Sequence, residues 1–157
     1  MRPVGTPMDG KLIFVTGASG YIAKHIIAQL LEAGYRVRGS VRSLDRADAV
    51  RRDLSVALTD AGDLTDRLEF AALELERDAG WDEGLSGADA LLHTASPFPL
   101  DQPRDRQELI RPAVEGTRRA LRAAKAAGIE RVVLTSSAVA ILNAALPAGR
   151  EAYVEED

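Results

Sequence analysis

Apolar and polar positions along the chain switch repeatedly between a period of two and a period near 3.6, the signatures of strands and amphipathic helices. Lys11–Thr16 is a short apolar run and predicts the first strand. In Tyr21–Ala33 the residues Ile22, Ile26, Ile27, Leu30 and Leu31 fall at helical spacing, and Gly34 supplies a C-terminal stop. Tyr35–Val41 predicts a second strand, and Leu44–Leu58 a helix with Ala47, Val50, Leu54 and Leu58 on one face. A polar turn at Asp60–Asp66 leads into a third strand, Arg67–Leu75, followed by a helical turn around Trp81–Leu85. Ala88–Ala95 is an apolar fourth strand, and Ser96–Asp105 is a Pro-rich loop. Glu108–Ala127 predicts a long helix whose buried stripe is Leu109, Ala113, Val114, Thr117, Leu121 and Ala124; Gly128 ends it, and Arg131–Thr135 is the fifth strand. Such alternation predicts an α/β fold with a doubly wound parallel sheet of order 3-2-1-4-5.

The junction between the first strand and the first helix carries the most chemistry. Gly17 lets the chain turn where a side chain cannot follow, Gly20 lets backbone N–H groups approach a ligand, and Ala23 is small enough for close helix packing. A Gly-x-x-Gly turn also occurs as plain loop chemistry. Here, however, it sits inside a complete βαβ unit, the layout in which a helix N-terminus receives the pyrophosphate of a dinucleotide. The expected architecture is therefore Rossmann-like, with residues 1–10 as a flexible head and 11–157 as one dinucleotide-binding domain.

Composition narrows the function classes. At 157 residues and a formal net charge of −4, the chain has the size of one domain and no basic stripe suited to nucleic acid. It contains no Cys, which excludes disulfides, thiol catalysis and Cys-based metal sites. His25 and His93 are too far apart in sequence to form a metal motif. No apolar run reaches membrane-spanning length, and Met1–Gly10 lacks a signal-peptide core, so the reading is a soluble, cytoplasmic protein with no membrane partner.

Five blocks in order resemble the extended short-chain dehydrogenases/reductases, in their dihydroflavonol-reductase-like branch. They are Thr16-Gly-Ala-Ser-Gly-Tyr-Ile-Ala23, Val37-Arg-Gly-Ser-Val-Arg42, His93-Thr-Ala-Ser-Pro-Phe98, Arg111-Pro-Ala-Val-Glu-Gly-Thr117 and Arg131-Val-Val-Leu-Thr-Ser-Ser137. The resemblance implies cofactor contacts at Gly17, Ser19, Gly20, Tyr21 and Ile22 of the first block. It adds Arg42 at the second strand's end, Glu74 and Leu75 beside the adenine, and Thr94, Ala95, Ser96 and Thr135 at later strand ends. Where the family usually has Asp-Leu at the adenine, this chain has Glu74-Leu75. A carboxylate at the second strand's end would serve NAD; Arg42 there favours NADP over NAD, because a guanidinium fork suits a 2′-phosphate. The plain alternative is that Arg42, like Arg36 and Arg38, is an ordinary solvated strand charge. His93 reads as a strand-end residue with satisfied hydrogen bonds, and Trp81 as packing.

The implied activity is reduction of a small-molecule carbonyl, or oxidation of an alcohol, by hydride transfer with a nicotinamide cofactor. In the family a Tyr exchanges the proton, a Lys four residues later lowers its pKa, and a Ser orients the carbonyl. Ser137 matches that Ser, with Ser136 as its neighbour to test. Tyr21, Tyr35 and Tyr153 are followed four residues later by His25, Gly39 and Asp157, so the Tyr–Lys pair has no counterpart in these 157 residues. Residues 150–157 resemble the family segment just before that Tyr. The expectation is an N-terminal portion, inactive alone, that keeps the cofactor half and lacks the substrate lobe. A nucleotide-sugar epimerase or dehydratase holding NAD, and a non-catalytic dinucleotide-binding protein, are the alternatives. A homodimer through the helix at Glu108–Ala127 is compatible with the resemblance.

Overall fold

Leu12, Ile13, Phe14 and Val15 leave no polar face, and the strand they form, β1 (Leu12–Thr16), is buried at every position. A strand covered on both sides belongs at the centre of a parallel sheet. The structure is a computed structural model that describes residues 10–58, 64–97, 103 and 105–137. β1 pairs in parallel with β2 (Arg36–Val41) on one side and β4 (Ala90–His93) on the other. β3 (Leu68–Ala72) and β5 (Arg131–Leu134) complete the expected order β3-β2-β1-β4-β5. The helices are α1 (Tyr21–Glu32), α2 (Ala47–Ala57), α3 (Leu64–Arg67), α4 (Trp81–Leu85) and α5 (Gln107–Ala126). A 3-10 turn, Leu44–Arg46, leads into α2.

The two-residue alternation of β1 divides the core into two layers. Ile13 and Val15 join Val37, Val41 and Leu68 beneath α1 and α2, against Ile27, Leu31, Val50 and Leu54. Phe14 faces the opposite way and packs with Leu91, Trp81, Leu85, Ala120 and Ala124 under α4 and α5. Trp81 is therefore packing, as expected; its indole N–H donates to the Arg77 carbonyl at 3.0 Å.

Some details differ from the pattern reading. Ile22 is 57 % exposed, because α1 turns Ala23, Ile27, Ala28 and Leu31 inward instead. On α5 the buried positions are Gly116, Ala120 and Ala124, whereas the expected stripe members Val114 and Leu121 are 40 % and 41 % exposed. The small residues let α5 approach closely, so closeness of contact, and not side-chain size, selects the inner face. The third strand is shorter than expected: Arg67 closes α3, and at the other end the ladder stops at Ala72. Val133 and Leu134 of β5 are exposed. The head at 1–9, residues 59–63 of the polar turn, residues 98–102 and 104 of the Pro-rich loop, and 138–157 lie outside the described residues.

Arg38 departs most from the picture of a solvated strand charge. Its Nη1 donates to the carbonyls of Gly84 at 2.8 Å and Ser86 at 2.7 Å, and its Nη2 lies 3.0 Å from Glu69 Oε1. It thus satisfies the last carbonyls of α4 and ties that helix to β2. Arg36 stays exposed, 3.7 Å from the same carboxylate. Replacing Arg38 by Met is expected to lower stability by about 1.5–3 kcal/mol, the range for hydrogen bonds to a charged group. The same change at Arg36 should cost under about 0.5 kcal/mol, as for exposed pairs. Urea denaturation of the two variants checks the contrast.

Candidate functional site

The turn after β1 has the geometry that its glycines predict. Gly17 has φ +71°, in the left-handed region, and a Cβ placed on it would lie 3.0 Å from the Ala95 Cβ. Any larger residue there is doubly opposed, by backbone preference and by the neighbouring strand end. The turn is held by β2: the Gly17 N–H donates to Ser40 Oγ at 2.9 Å, and the Ala18 N–H to the Ser40 carbonyl at 2.8 Å. Gly20, in extended backbone, is the N-cap of α1, which has no side-chain cap and no acidic residue in its first turn. The positive end of the α1 dipole is therefore not neutralised by the helix's own side chains, the condition under which a phosphate is well received.

The other half of the site rests on Thr16 and His93, both buried. Thr16 Oγ1 accepts the backbone N–H groups of Thr94 and Ala95, each at 3.1 Å. With both lone pairs used, its proton must go to His93 Nδ1, 2.8 Å away. That count assigns the neutral imidazole with its hydrogen on Nε2. The Thr94 hydroxyl donates in turn to the Thr16 carbonyl. Burial lowers the His93 pKa from its ordinary value near 6.5, in line with a neutral ring in this network. His93 is thus the satisfied strand-end residue expected, with its partner now identified.

Between these halves, β1 has β2 on one side and β4 on the other, and the loops that follow diverge. Such a switch point at the carboxyl ends of parallel strands is where α/β sheets bind ligands. A groove of about 430 Å³ opens there. It brings together Gly17, Ser19, Gly20, Arg42, Glu74, Leu75, Thr94, Ala95 and Ser96. Ser40, Val41, Leu73, Glu76 and Pro97, which the pattern did not single out, also line it. Of these, Ser40 is the one with a legible signal, a polar residue at the end of an otherwise apolar strand end.

Four expected site residues do not line this groove. Tyr21 and Ile22 lie at the start of α1, 77 % and 57 % exposed. Thr135 extends the β5 ladder through its N–H to the His93 carbonyl at 3.0 Å, and Ser137 follows two residues later, exposed. Glu74 is also not isolated: its Oε2 is 3.2 Å from Arg77 Nε. Among the described residues no cluster of metal-ligating side chains occurs, and no helix is long and apolar enough to cross a membrane.

The sequence model of the NAD dependent epimerase/dehydratase family matches residues 13–154. A cinnamoyl-CoA reductase of Medicago truncatula is 38 % identical over 148 residues, covering 94 % of this chain and 44 % of its own length. A dihydroflavonol 4-reductase of Hordeum vulgare is 35 % identical over 134 residues, 83 % of this chain and 36 % of its own. Among solved structures, yeast methylglyoxal/isovaleraldehyde reductase complexed with NADPH is similar with a TM-score of 0.67 at 31 % identity, over 80 % of this chain and 37 % of that one. The chain therefore spans less than half the length of these relatives.

The His93 network makes stability depend on pH with a definite sign. Its folded pKa lies below the unfolded one, so as the pH falls the unfolded chain takes up the proton first. The contribution is intact above a pH of about 6.5 and is lost as the pH drops through that value toward the folded pKa. Replacing His93 by Asn keeps an acceptor but removes the titration. Thermal melts between pH 7.5 and 5.5 should show a shallower loss of Tm for the variant than for the parent protein.

Proposed function

Because the chain belongs to the NAD dependent epimerase/dehydratase family, we propose that it is the cofactor-binding part of an NADP-dependent reductase acting on a small carbonyl compound. The observation that carries this reading is Arg42. It follows β2 directly, it lines the groove that also holds the glycine turn, and no carboxylate stands at that strand end. A guanidinium there matches a 2′-phosphate, whereas ribose hydroxyls would call for a carboxylate.

The other residues fit a dinucleotide. Gly17 and Gly20, with the uncapped start of α1, offer backbone N–H groups to a pyrophosphate. Glu74 and Leu75 would flank the adenine, the carboxylate accepting from its amino group. Thr94, Ala95 and Ser96 would lie along the inner ribose and pyrophosphate. NADPH, when bound, supplies a hydride to the carbonyl carbon. In this reading the Ser137 hydroxyl donates to the carbonyl oxygen and orients it. The NADPH named with the yeast structure, and the reductases among the relatives, support the same assignment. The proton donor and its Lys have no counterpart in these 157 residues.

Calorimetry on the 157-residue chain with 2′,5′-ADP and 5′-AMP tests the cofactor assignment. The 2′-phosphate is expected to improve binding by about tenfold or more, and Arg42→Ala to abolish that advantage while leaving 5′-AMP unchanged. Equal affinity for the two nucleotides would favour the NAD-holding epimerase reading instead. The same chain is expected to show no steady oxidation of NADPH with a panel of aldehydes and ketones; sustained turnover would contradict the assignment of its chemistry to residues not among these 157.

A further inference from the structure

The loop that leaves β3 forms the groove wall at Glu74 and Leu75, yet it is held in place from behind. Leu73 is anchored by its N–H to the Val41 carbonyl at 2.9 Å, and beyond it the β ladder stops. The next fixed points come from α5. The Arg119 guanidinium donates through Nη1 to the Leu75 carbonyl and through Nε to the Asp78 carboxylate. One turn earlier, Gly116 packs on the same residue: a Cβ placed there would stand 3.3 Å from the Leu75 Cβ. Glu76 borders both the cofactor groove and a second cavity of about 460 Å³ that Arg119 and Glu115 line. The loop is thus a thin partition, with the groove on one side and the Arg119 side chain on the other.

We infer that Arg119 and Gly116 of α5 are positioning residues, which set the adenine wall of the groove by fixing the Leu75 backbone from outside it. The inference rests on the dinucleotide reading of the groove and adds to it two residues that line none of its surface. The planar fork matters, because one side chain must serve a carbonyl and a carboxylate in different directions. A lysine ammonium at the end of a flexible stem cannot reproduce both.

The test uses the 157-residue chain with two probes that differ only in the base, 2′,5′-ADP and its hypoxanthine counterpart, titrated by NMR. The parent protein should prefer adenine, because the Glu74 carboxylate meets the amino group that hypoxanthine lacks. Arg119→Ala is expected to weaken 2′,5′-ADP by roughly fivefold and to shrink the adenine preference toward one, with Arg119→Lys rescuing only in part. Gly116→Ala should act in the same direction by pushing Leu75 into the groove. Asp78→Ala removes one of the two contacts at an exposed carboxylate and so tests the idea even where the Arg119 variant fails to fold; a twofold to threefold effect is expected, roughly. A variant that weakens both probes equally is merely less stable, and that result overturns the inference, as does an unchanged preference in folded variants. A parent protein that binds neither probe overturns the dinucleotide reading itself; one that binds both with no preference for adenine overturns only the wall assignment.

Discussion

The Thr16 hydroxyl is the group on which the site's geometry depends. It lies at the end of the central strand and uses its full capacity: two backbone N–H groups of the β4 exit on its lone pairs and a buried imidazole on its proton. An ordinary strand pair is held only by ladder hydrogen bonds, which end where the strands end. Here a side chain extends the pairing of β1 with β4 past the last ladder position, to Thr94 and Ala95. That extension brings the Ala95 backbone against Gly17, and it explains why the turn has no room for a Cβ.

A common construction follows for the rest of the groove. Each wall is fixed by a contact from a neighbouring strand or helix. Ser40 on β2 holds the glycine turn, Thr16 on β1 holds the β4 exit, and α5 holds the β3 exit. Polar groups that would otherwise be buried without partners are satisfied by one another, which removes the energetic penalty of placing them near the core. The walls are consequently built before any ligand arrives, and binding does not have to supply their ordering.

Element order, strand order and the glycine turn were legible in the sequence because each depends on local pattern: a period, a stop signal, a residue that tolerates positive φ. The partners of Thr16 and Arg38 were not. Thr16 and His93 are 77 residues apart, and nothing in the spacing of either indicates the other. Arg38 looked like a surface charge because Arg usually is one; only the placement of α4 across β2 reveals its carbonyl partners. The buried face of α5 was misread in part, at Val114 and Leu121, for a different reason. Pattern reading weights bulky residues, and Val114 and Leu121 marked a stripe, but the contact is made by Gly116, Ala120 and Ala124. The candidate site showed the same division: its glycines and Arg42 could be recognised, whereas Val41, Leu73 and Glu76, which also line the groove, carry no local signal.

The end of β2 carries two separate duties on neighbouring positions. Ser40 points to the glycine turn, Arg42 stands in the groove wall, and buried Val41 joins them. Under the proposed function, selectivity and scaffolding share one stretch of backbone only three residues long. The contacts that hold the turn come from the Ser40 hydroxyl and carbonyl, so exchanging the charge at position 42 leaves them in place and nucleotide preference at this strand end can change while the cradle keeps its shape. Recognition and architecture sit side by side on one strand end and rest on different side chains.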